Sequence, residues 1–400
     1  MSDTRRRISV MVIGAGSGGR IIAQGLRKAG IRCTVFEQDA SLYERSRDWN
    51  FGIYWSQTPL SECLPEEVQS KVITAQVDNI VPKADAYLPA FNGETGDLIH
   101  KIPTPHYLRL RRKEFVRVLG EGIDIQYSKR LVSVDATSGP GVLATFADGT
   151  QHTASLLIGA EGAHSPVREY LLGPQKGNLL YSPFVLSVTI SRLPLDKALE
   201  LSKLHPRSST IFHPNGTFQW IGVHDGYDKP NIADYAFIFM TGWRQTGPLK
   251  FPDSKAIIAD MKRRAEASAE PIRSIFGAID DEAKAWSDYL PYWPTQGWEG
   301  HPARSKVTLV GDAAHPMTPH RGQGLNNAVL DCYELLKQIE AMPHPTADAL
   351  RDAVMRYEEG MWKRGNEAVM RSFENSVAVH DWEMLKESPL FQQGLIHRDE

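Results

Sequence analysis

The sequence predicts an α/β protein: a parallel sheet flanked by helices, interrupted by a mostly antiparallel region and closed by a long C-terminal helix. Three observations predict it. A strand, glycine turn, helix and second strand follow one another within residues 8–37. Strand-like runs separated by loops dominate residues 183–240. After Pro343-His-Pro345, apolar residues recur at helical spacing.

Ile8-Ser-Val-Met-Val-Ile13 is a short β-branched run, the pattern of a buried strand. Gly14-Ala-Gly-Ser-Gly-Gly19 breaks it. A helix follows, with Ile21, Ile22, Gly25, Leu26 and Ala29 on one stripe, and Gly30 ends it as a glycine just past a helix does. Ile31–Phe36 is the second strand, so a complete βαβ unit of about 30 residues closes at Glu37. Val132–Ser138 and Val142–Ala147 read as strands joined by turns, and Leu156–Gly159 as another buried strand. Phe184–Ile190, Ser209–His213, Thr217–Val223 and Tyr235–Met240 form the antiparallel region, in which only Leu195–Leu204 reads as helix. Lys255–Phe276 reads as one helical stretch and Lys306–Val310 as a strand. Leu350, Val354, Tyr357 and Met361 mark the last helix, whose continuity Gly360 and Gly365 weaken.

The chain has 400 residues, 42% hydrophobic and 23% charged, which excludes disorder as its main state and suggests two or three domains. Lys and Arg number 45 against 48 Asp and Glu, a net charge of −3. Such balance gives no basic face for nucleic acid, and Arg5-Arg6-Arg7 reads as a solvated tail. Cys33, Cys63 and Cys332 are too scattered for a disulfide framework or a Cys-x-x-Cys site, which fits a reducing, cytoplasmic location. No apolar run reaches the ~18 residues of a membrane span, and neither end carries a targeting signal we recognise.

Three glycine-containing motifs carry chemistry. In Gly14-x-Gly16-x-x-Gly19 the first glycine allows a tight turn, the second lets backbone approach a pyrophosphate, and the third lets helix and strand pack closely. The helix N-terminus adds free N–H groups and a positive dipole end. Glu37, at the end of the second strand, is placed to accept hydrogen bonds from an adenosine ribose, and an acid there disfavours a 2′-phosphate; FAD or NAD suits the site. The second motif is Gly159-Ala-Glu161-Gly162-Ala-His-Ser165-Pro-Val-Arg168. It reads equally as a cofactor-holding loop and as a helix start with Ser165 as N-cap and Pro166 after it. The third is Gly311-Asp312-Ala-Ala-His315-Pro-Met-Thr-Pro319, followed by His320-Arg-Gly322-Gln-Gly324-Leu325-Asn326-Asn327. Its acid suits a polyol chain and its glycines expose backbone N–H groups to a ligand. His315 and His320 lack helical ligand spacing and a third partner, so no metal is expected.

These motifs, in this order, resemble the class A FAD-dependent monooxygenases of the para-hydroxybenzoate hydroxylase type, whose members carry a dinucleotide fingerprint, D-G-x-x-S-x-x-R and G-D-A-A-H-x-x-x-P. The likeness runs from Gly14 to Asn327. Arg112-Lys-Glu-Phe115 resembles a further flavin-contacting helix start, and Arg47-Asp-Trp-Asn-Phe-Gly-Ile53 the corresponding loop of fungal secondary-metabolism members. Glu161 departs from the family's usual aspartate by one methylene.

The resemblance implies a FAD-binding, Rossmann-like parallel sheet with an inserted, mostly antiparallel substrate domain and a long C-terminal helix. The FAD-binding domain would take 1–75, 105–175 and 300–340, the substrate domain 76–104 and 176–299, and the helical segment 341–400. It implies non-covalent FAD, NADPH or NADH as electron donor, and O2. A C4a-hydroperoxyflavin would hydroxylate or epoxidise a bulky aromatic or alkene-bearing natural product, in a monomer or homodimer without membrane partners. The alternatives are a related FAD enzyme that does not insert oxygen, or a flavin-fold protein with impaired redox function, which Glu161 keeps open.

Residue by residue, Gly14, Gly16, Gly19, Glu37, Arg112, Glu161, Ser165 and Arg168 match cofactor positions. Asp312 matches the aspartate on the ribityl chain, Pro319 the proline beside the flavin ring, and Gly322, Gly324, Leu325 and Asn326 the segment facing the isoalloxazine. Arg45 or Arg47 matches an arginine that contacts a mobile flavin in relatives, or is a surface charge. For the substrate, either Phe218, Trp220 and Gly222 or Thr217, Gln219 and Ile221 face the pocket, since neighbours alternate along a strand. Arg192 and His213 are polar candidates for activating a substrate hydroxyl or an indole-like ring, or ordinary loop and strand-end residues. Trp286, Tyr289, Tyr292, Trp293 and Trp298 crowd thirteen residues, and either receive a bulky apolar ligand or pack between domains.

Overall fold

The computed structural model describes residues 8–44 and 46–395; Arg5-Arg6-Arg7 and Arg45 lie outside the described residues. Ser9–Ile13 is the central strand of a five-stranded parallel sheet, in the order Val307–Leu309, Leu156–Gly159, Ser9–Ile13, Arg32–Phe36, Asp124–Gln126. Met11, Val12, Leu156, Leu157 and Ile158 have essentially no exposure, because helices cover one face and a small antiparallel sheet that includes Phe146 covers the other, leaving no solvent side on which alternation would show. The helices Ser17–Lys28 and Gly324–Glu340 pack together against this sheet, Leu26 and Leu336 sharing one core.

The second large sheet has seven strands in the order Ala285–Tyr292, Leu180–Ser191, Ala236–Arg244, Phe218–Asp225, Ser208–Phe212, Tyr87–Asn92, Leu98–Pro103. Every neighbouring pair is antiparallel except Ser208–Phe212 with Tyr87–Asn92. Its strands come from two separated stretches of chain. Period-two alternation sorts its residues between two cores. Ile211, Ile221, Val223, Phe237 and Phe239 pack with the helices Leu195–Leu204, Ser254–Ala265 and Ile272–Gly277. Phe212, Phe218, Trp220 and Ile238 face the other way, toward Val379, Leu385 and Leu390 near the C-terminus.

A two-stranded ribbon, Asn50–Ile53 with Leu108–Arg111, joins the two halves. A three-stranded sheet, Leu131–Asp135, Val142–Phe146 and Gln151–Ala154, lies beside the parallel sheet. The C-terminal helix, Ala347–Ala378, runs unbroken through both glycines. Gly365 is there for space: a Cβ would lie 3.0 Å from the Thr295 hydroxyl and 3.1 Å from the His315 ring. The expected single helix over 255–276 is instead two, because the chain leaves helix after Ala265 and re-enters only past Pro271. Among the described residues, no helix is long and apolar enough to cross a membrane.

Candidate functional site

A cavity of about 850 Å³ runs from the first glycine turn, past the second and third motifs, to the inner face of the seven-stranded sheet. At its first end Gly14 has φ +99°, and a Cβ there would meet the Ala160 carbonyl oxygen at 2.5 Å. A Cβ on Gly19 would lie 1.9 Å from the Gly14 carbonyl oxygen, so this glycine serves helix–strand packing and does not line the cavity. Gly16 is different: a Cβ would meet nothing within 4 Å, and the residue borders the cavity at the helix N-terminus. Glu37 accepts from the backbone N–H of Ala15 at 2.8 Å and of Asp39 at 3.0 Å, which fixes its carboxylate on the cavity wall. Arg112 also lines it, its guanidinium 4.5 Å from the centre of the Trp49 ring.

The middle of the cavity rests on two linked networks. Glu161 accepts from the Ser165 hydroxyl at 3.1 Å and the Val167 N–H at 3.2 Å, and Ser165 accepts from the Arg168 N–H at 3.0 Å. The second motif is therefore a helix start and a cavity wall at once. Arg168 is buried and donates to the carbonyls of Gly177 (2.8 Å) and Ala313 (3.0 Å), tying the second motif to the third. Behind Asp312, Asp331 accepts from His315 Nε2 at 2.5 Å, from Arg364 at 2.6 Å and from the Gly311 N–H at 2.8 Å. Burial disfavours charge on both partners, yet their mutual attraction holds Asp331 below the usual carboxylate range and His315 above the usual imidazole value. Asp312 lines the cavity, and burial raises its carboxyl above the usual aspartate range, against the pull of His315 and Arg168.

Burial also pushes the Glu161 carboxyl up to about 7, against its hydrogen bonds and Arg168. The sign follows: between the unfolded value and about 7 the folded chain holds a proton that the unfolded chain has lost, so this group's contribution to stability falls as pH rises through that window. In the FAD-free protein, Glu161→Gln is expected to match wild type in thermal midpoint at about pH 5 and to exceed it at about pH 8. A constant difference at both values would contradict the assignment.

At the far end, Pro319, Gly322, Gly324 and Leu325 border the cavity, with Phe218 and Trp220 on the sheet opposite. The facing set on Phe218–Asp225 is thus Phe218 and Trp220; Ile221 belongs to the helix-side core, and Gln219 accepts from Ser268 there. Asn326 does not face the cavity. Its Oδ1 accepts from the Tyr54 N–H and the Ser56 hydroxyl at 2.9 Å, and its Nδ2 donates to the Gly52 carbonyl at 3.0 Å, so it fastens the ribbon to the third motif.

Several candidates lie elsewhere. Arg192 is exposed beyond the end of its strand, away from the cavity. His213 lies off the cavity too, its Nδ1 accepting from the Asn215 N–H and its Nε2 next to the Ala267 carbonyl, which staples a turn. Trp293 is fully buried against Arg168 and donates to the Lys176 carbonyl. Of the five clustered rings only Trp286 reaches the cavity; Tyr292 stacks on Phe373 and Trp298 packs on Trp362. Arg47 pairs with Asp288 at the surface, at 3.0 Å. Arg45 lies outside the described residues. Sequence reasoning missed Tyr54, Arg109 and His320 as lining residues. The first two sit on or beside the ribbon, whose short strands gave no clear pattern.

The cavity can therefore take a long ligand: phosphates at a helix N-terminus, a ribose at Glu37, a polyol at Asp312, and a planar ring between Pro319 and an apolar sheet face. Residues 301–372 match the family model described as an FAD binding domain. The chain is 47% identical over 397 residues to the FAD-dependent monooxygenase cctM of Talaromyces islandicus, covering 99% of this chain and 98% of that one. It is 36% identical over 407 residues to the FAD-dependent monooxygenase phnB of Penicillium herquei, covering 99% and 97%. In fold it is similar to HpxO of Klebsiella pneumoniae, solved with FAD and uric acid, with a TM-score of 0.76 at 20% identity, covering 97% and 92%.

Proposed function

The chain belongs to the FAD-dependent monooxygenases, and on that premise we propose that it uses NADPH or NADH and O2 to insert one oxygen into a bulky aromatic or alkene-bearing small molecule. One observation carries this reading. A single cavity joins a dinucleotide-type glycine turn to an apolar sheet face, so a cofactor's reactive ring and an organic substrate can meet away from bulk water. When bound, the reduced flavin supplies the oxygen-activating chemistry.

The chain's own residues bind, orient and shield. The backbone at Gly14 and Gly16, with the helix Ser17–Lys28, would receive the pyrophosphate. Glu37 would hold the adenosine ribose and Arg112 the dinucleotide. Asp312 would accept hydrogen bonds from the ribityl chain. Pro319, Gly322, Gly324 and Leu325 would border the isoalloxazine, with Phe218 and Trp220 closing the substrate side. Beneath it, Glu161 holds the second motif's turn and Arg168 ties that motif to the third. The reading gives no role at the reacting centre to Arg192, His213 or Trp293, which lie off the cavity. Three unpaired cysteines are consistent with our placing the enzyme in the cytoplasm.

The test is FAD retention. Asp312→Ala removes a charged acceptor, whose hydrogen bonds are each worth roughly 1.5–3 kcal/mol, so FAD should bind about tenfold or more weakly in a fluorescence titration. A variant that keeps wild-type FAD affinity would remove Asp312 from the cofactor site.

A further inference from the structure

Among the described residues, the buried arginines Arg207, Arg20 and Arg168 are well matched to acceptors, and Arg109 is not. Arg207 is held by Asp78 through three contacts of 2.8–3.1 Å and by Gln76 at 2.9 Å. Arg20 donates to the carbonyls of Ala15 and Val116 and to the Tyr127 hydroxyl. Arg168 donates to several carbonyls, as described. Arg109 is only 6% exposed, yet among the described residues its one side-chain hydrogen bond is a long one, 3.4 Å from Nη2 to Asn50 Oδ1, and its buried Nε has no partner. Among the described residues, no carboxylate lies within ion-pair distance of it; Asp78, a carboxylate that acts on it weakly from farther off, is engaged by Arg207.

Arg109 lines the cavity at its substrate end. Its guanidinium lies 4.3 Å from the centre of the Trp220 ring, and Trp220 itself borders the cavity. The surrounding wall is apolar, formed by Leu88, Leu186, Val188, Phe218, Met240 and Trp286. The Tyr54 hydroxyl stands nearby, and burial pushes its phenol up, so it stays a neutral donor. A desolvated cation in such a wall is costly until an anion meets it. A planar guanidinium stacked on an aromatic ring leaves its N–H edge for oxygen atoms in the same plane.

Resting on the monooxygenase reading above, we propose that Arg109 is the substrate anchor and that the substrate is an aromatic ring bearing an anionic oxygen group, a carboxylate or an ionised phenol or enol, seated against Trp220. The remainder of the ring system lies on the apolar sheet face. Such an anchor also sets substrate specificity, because a neutral analogue leaves the cation unpaired.

The test uses matched ligand pairs on the FAD-loaded protein, with binding read from the perturbed flavin absorbance. Orsellinate against methyl orsellinate tests the carboxylate, and emodin against its trimethyl ether tests the ionisable phenol. Wild type is expected to bind the acidic member of at least one pair about tenfold or more tightly than the neutral member. Arg109→Gln should bring the two within about threefold, and Arg109→Lys should keep a reduced preference. Wild type that binds both members of each pair equally, or binds neither, overturns the proposal. So does an Arg109→Gln protein that keeps the preference. If Arg109→Gln does not load FAD, the wild-type pairs and Arg109→Lys decide, and a lysine variant that binds acidic ligands like wild type but loses FAD affinity places Arg109 at the cofactor and overturns it. Failure of wild type to take up FAD at all would instead strike the underlying monooxygenase reading, so the two failures are distinguishable.

Discussion

Gly14→Val is expected to abolish FAD binding and destabilise the fold, whereas Gly16→Ala should weaken FAD binding with little change in stability. The contrast follows from where each side chain would go. At Gly14 the backbone is left-handed, and a Cβ meets backbone atoms of Ala160 and Glu161 at 2.5–2.8 Å. Backbone cannot yield as a flexible side chain can. The strained φ costs roughly 1–3 kcal/mol, and forcing the two strand ends apart costs a similar amount, about 1–3 kcal/mol. The displaced partner is the second motif itself, so both cofactor walls move together. At Gly16 φ is −72°, which alanine accepts, and the added methyl enters only the cavity. Thermal melts with FAD titrations separate the cases. Equal losses of stability in both variants would contradict the assignment of Gly16 to ligand approach.

Asp331→Ala is the second large effect. The substitution leaves Arg364 and His315 without their buried partner and the Gly311 N–H without its acceptor. Breaking a buried ion pair in this way costs about 3–5 kcal/mol. The pH dependence has a definite sign. Asp331, held below its ordinary value, contributes stability above the usual aspartate range and loses it as pH falls through its folded value. His315, held above its ordinary value, contributes fully below the usual histidine range and loses it as pH rises through its folded value. The wild-type advantage over Asp331→Ala should therefore peak between those limits and shrink on both sides, which chemical denaturation across pH would show. Because Gly311 precedes Asp312, FAD affinity should fall as well.

Four strands of the parallel sheet were legible because they are short, largely apolar runs ending at glycines or acids, and because Gly14, Gly16, Gly19 and Glu37 occur at the spacing a phosphate-binding turn requires; the edge strand Asp124–Gln126, with a single apolar residue, was not. Four of the seven strands of the antiparallel sheet were legible as runs, whereas Tyr87–Asn92, Leu98–Pro103 and Ala285–Tyr292 were not; nor was the face that met the cavity, because Phe218–Asp225 is almost entirely buried and burial on both sides erased the alternation. Asn50–Ile53 and Leu108–Arg111 were missed because four-residue strands carry almost no periodicity. Arg109 was hidden for the same reason; within Leu108-Arg-Leu-Arg111 nothing distinguishes an inward arginine from an outward one. Trp293 misled because an aromatic cluster signals burial without saying whether a ligand or the protein covers it. Asn326 lies in the expected segment but acts on the chain, holding Tyr54 and Ser56. Glu161 was visible as a departure in sequence; in the structure its carboxylate accepts from the Val167 N–H at the start of the helix that begins at Pro166.

The most direct test is to supply the purified protein with FAD, NADPH or NADH and isotopically labelled O2, and to screen acidic aromatic polyketides for substrate-stimulated donor oxidation with product mass. The account predicts a yellow protein whose donor consumption rises with a substrate and whose product gains one oxygen atom from O2. A colourless protein that takes up no FAD, or one that turns donor and O2 only into hydrogen peroxide with every compound, would contradict it.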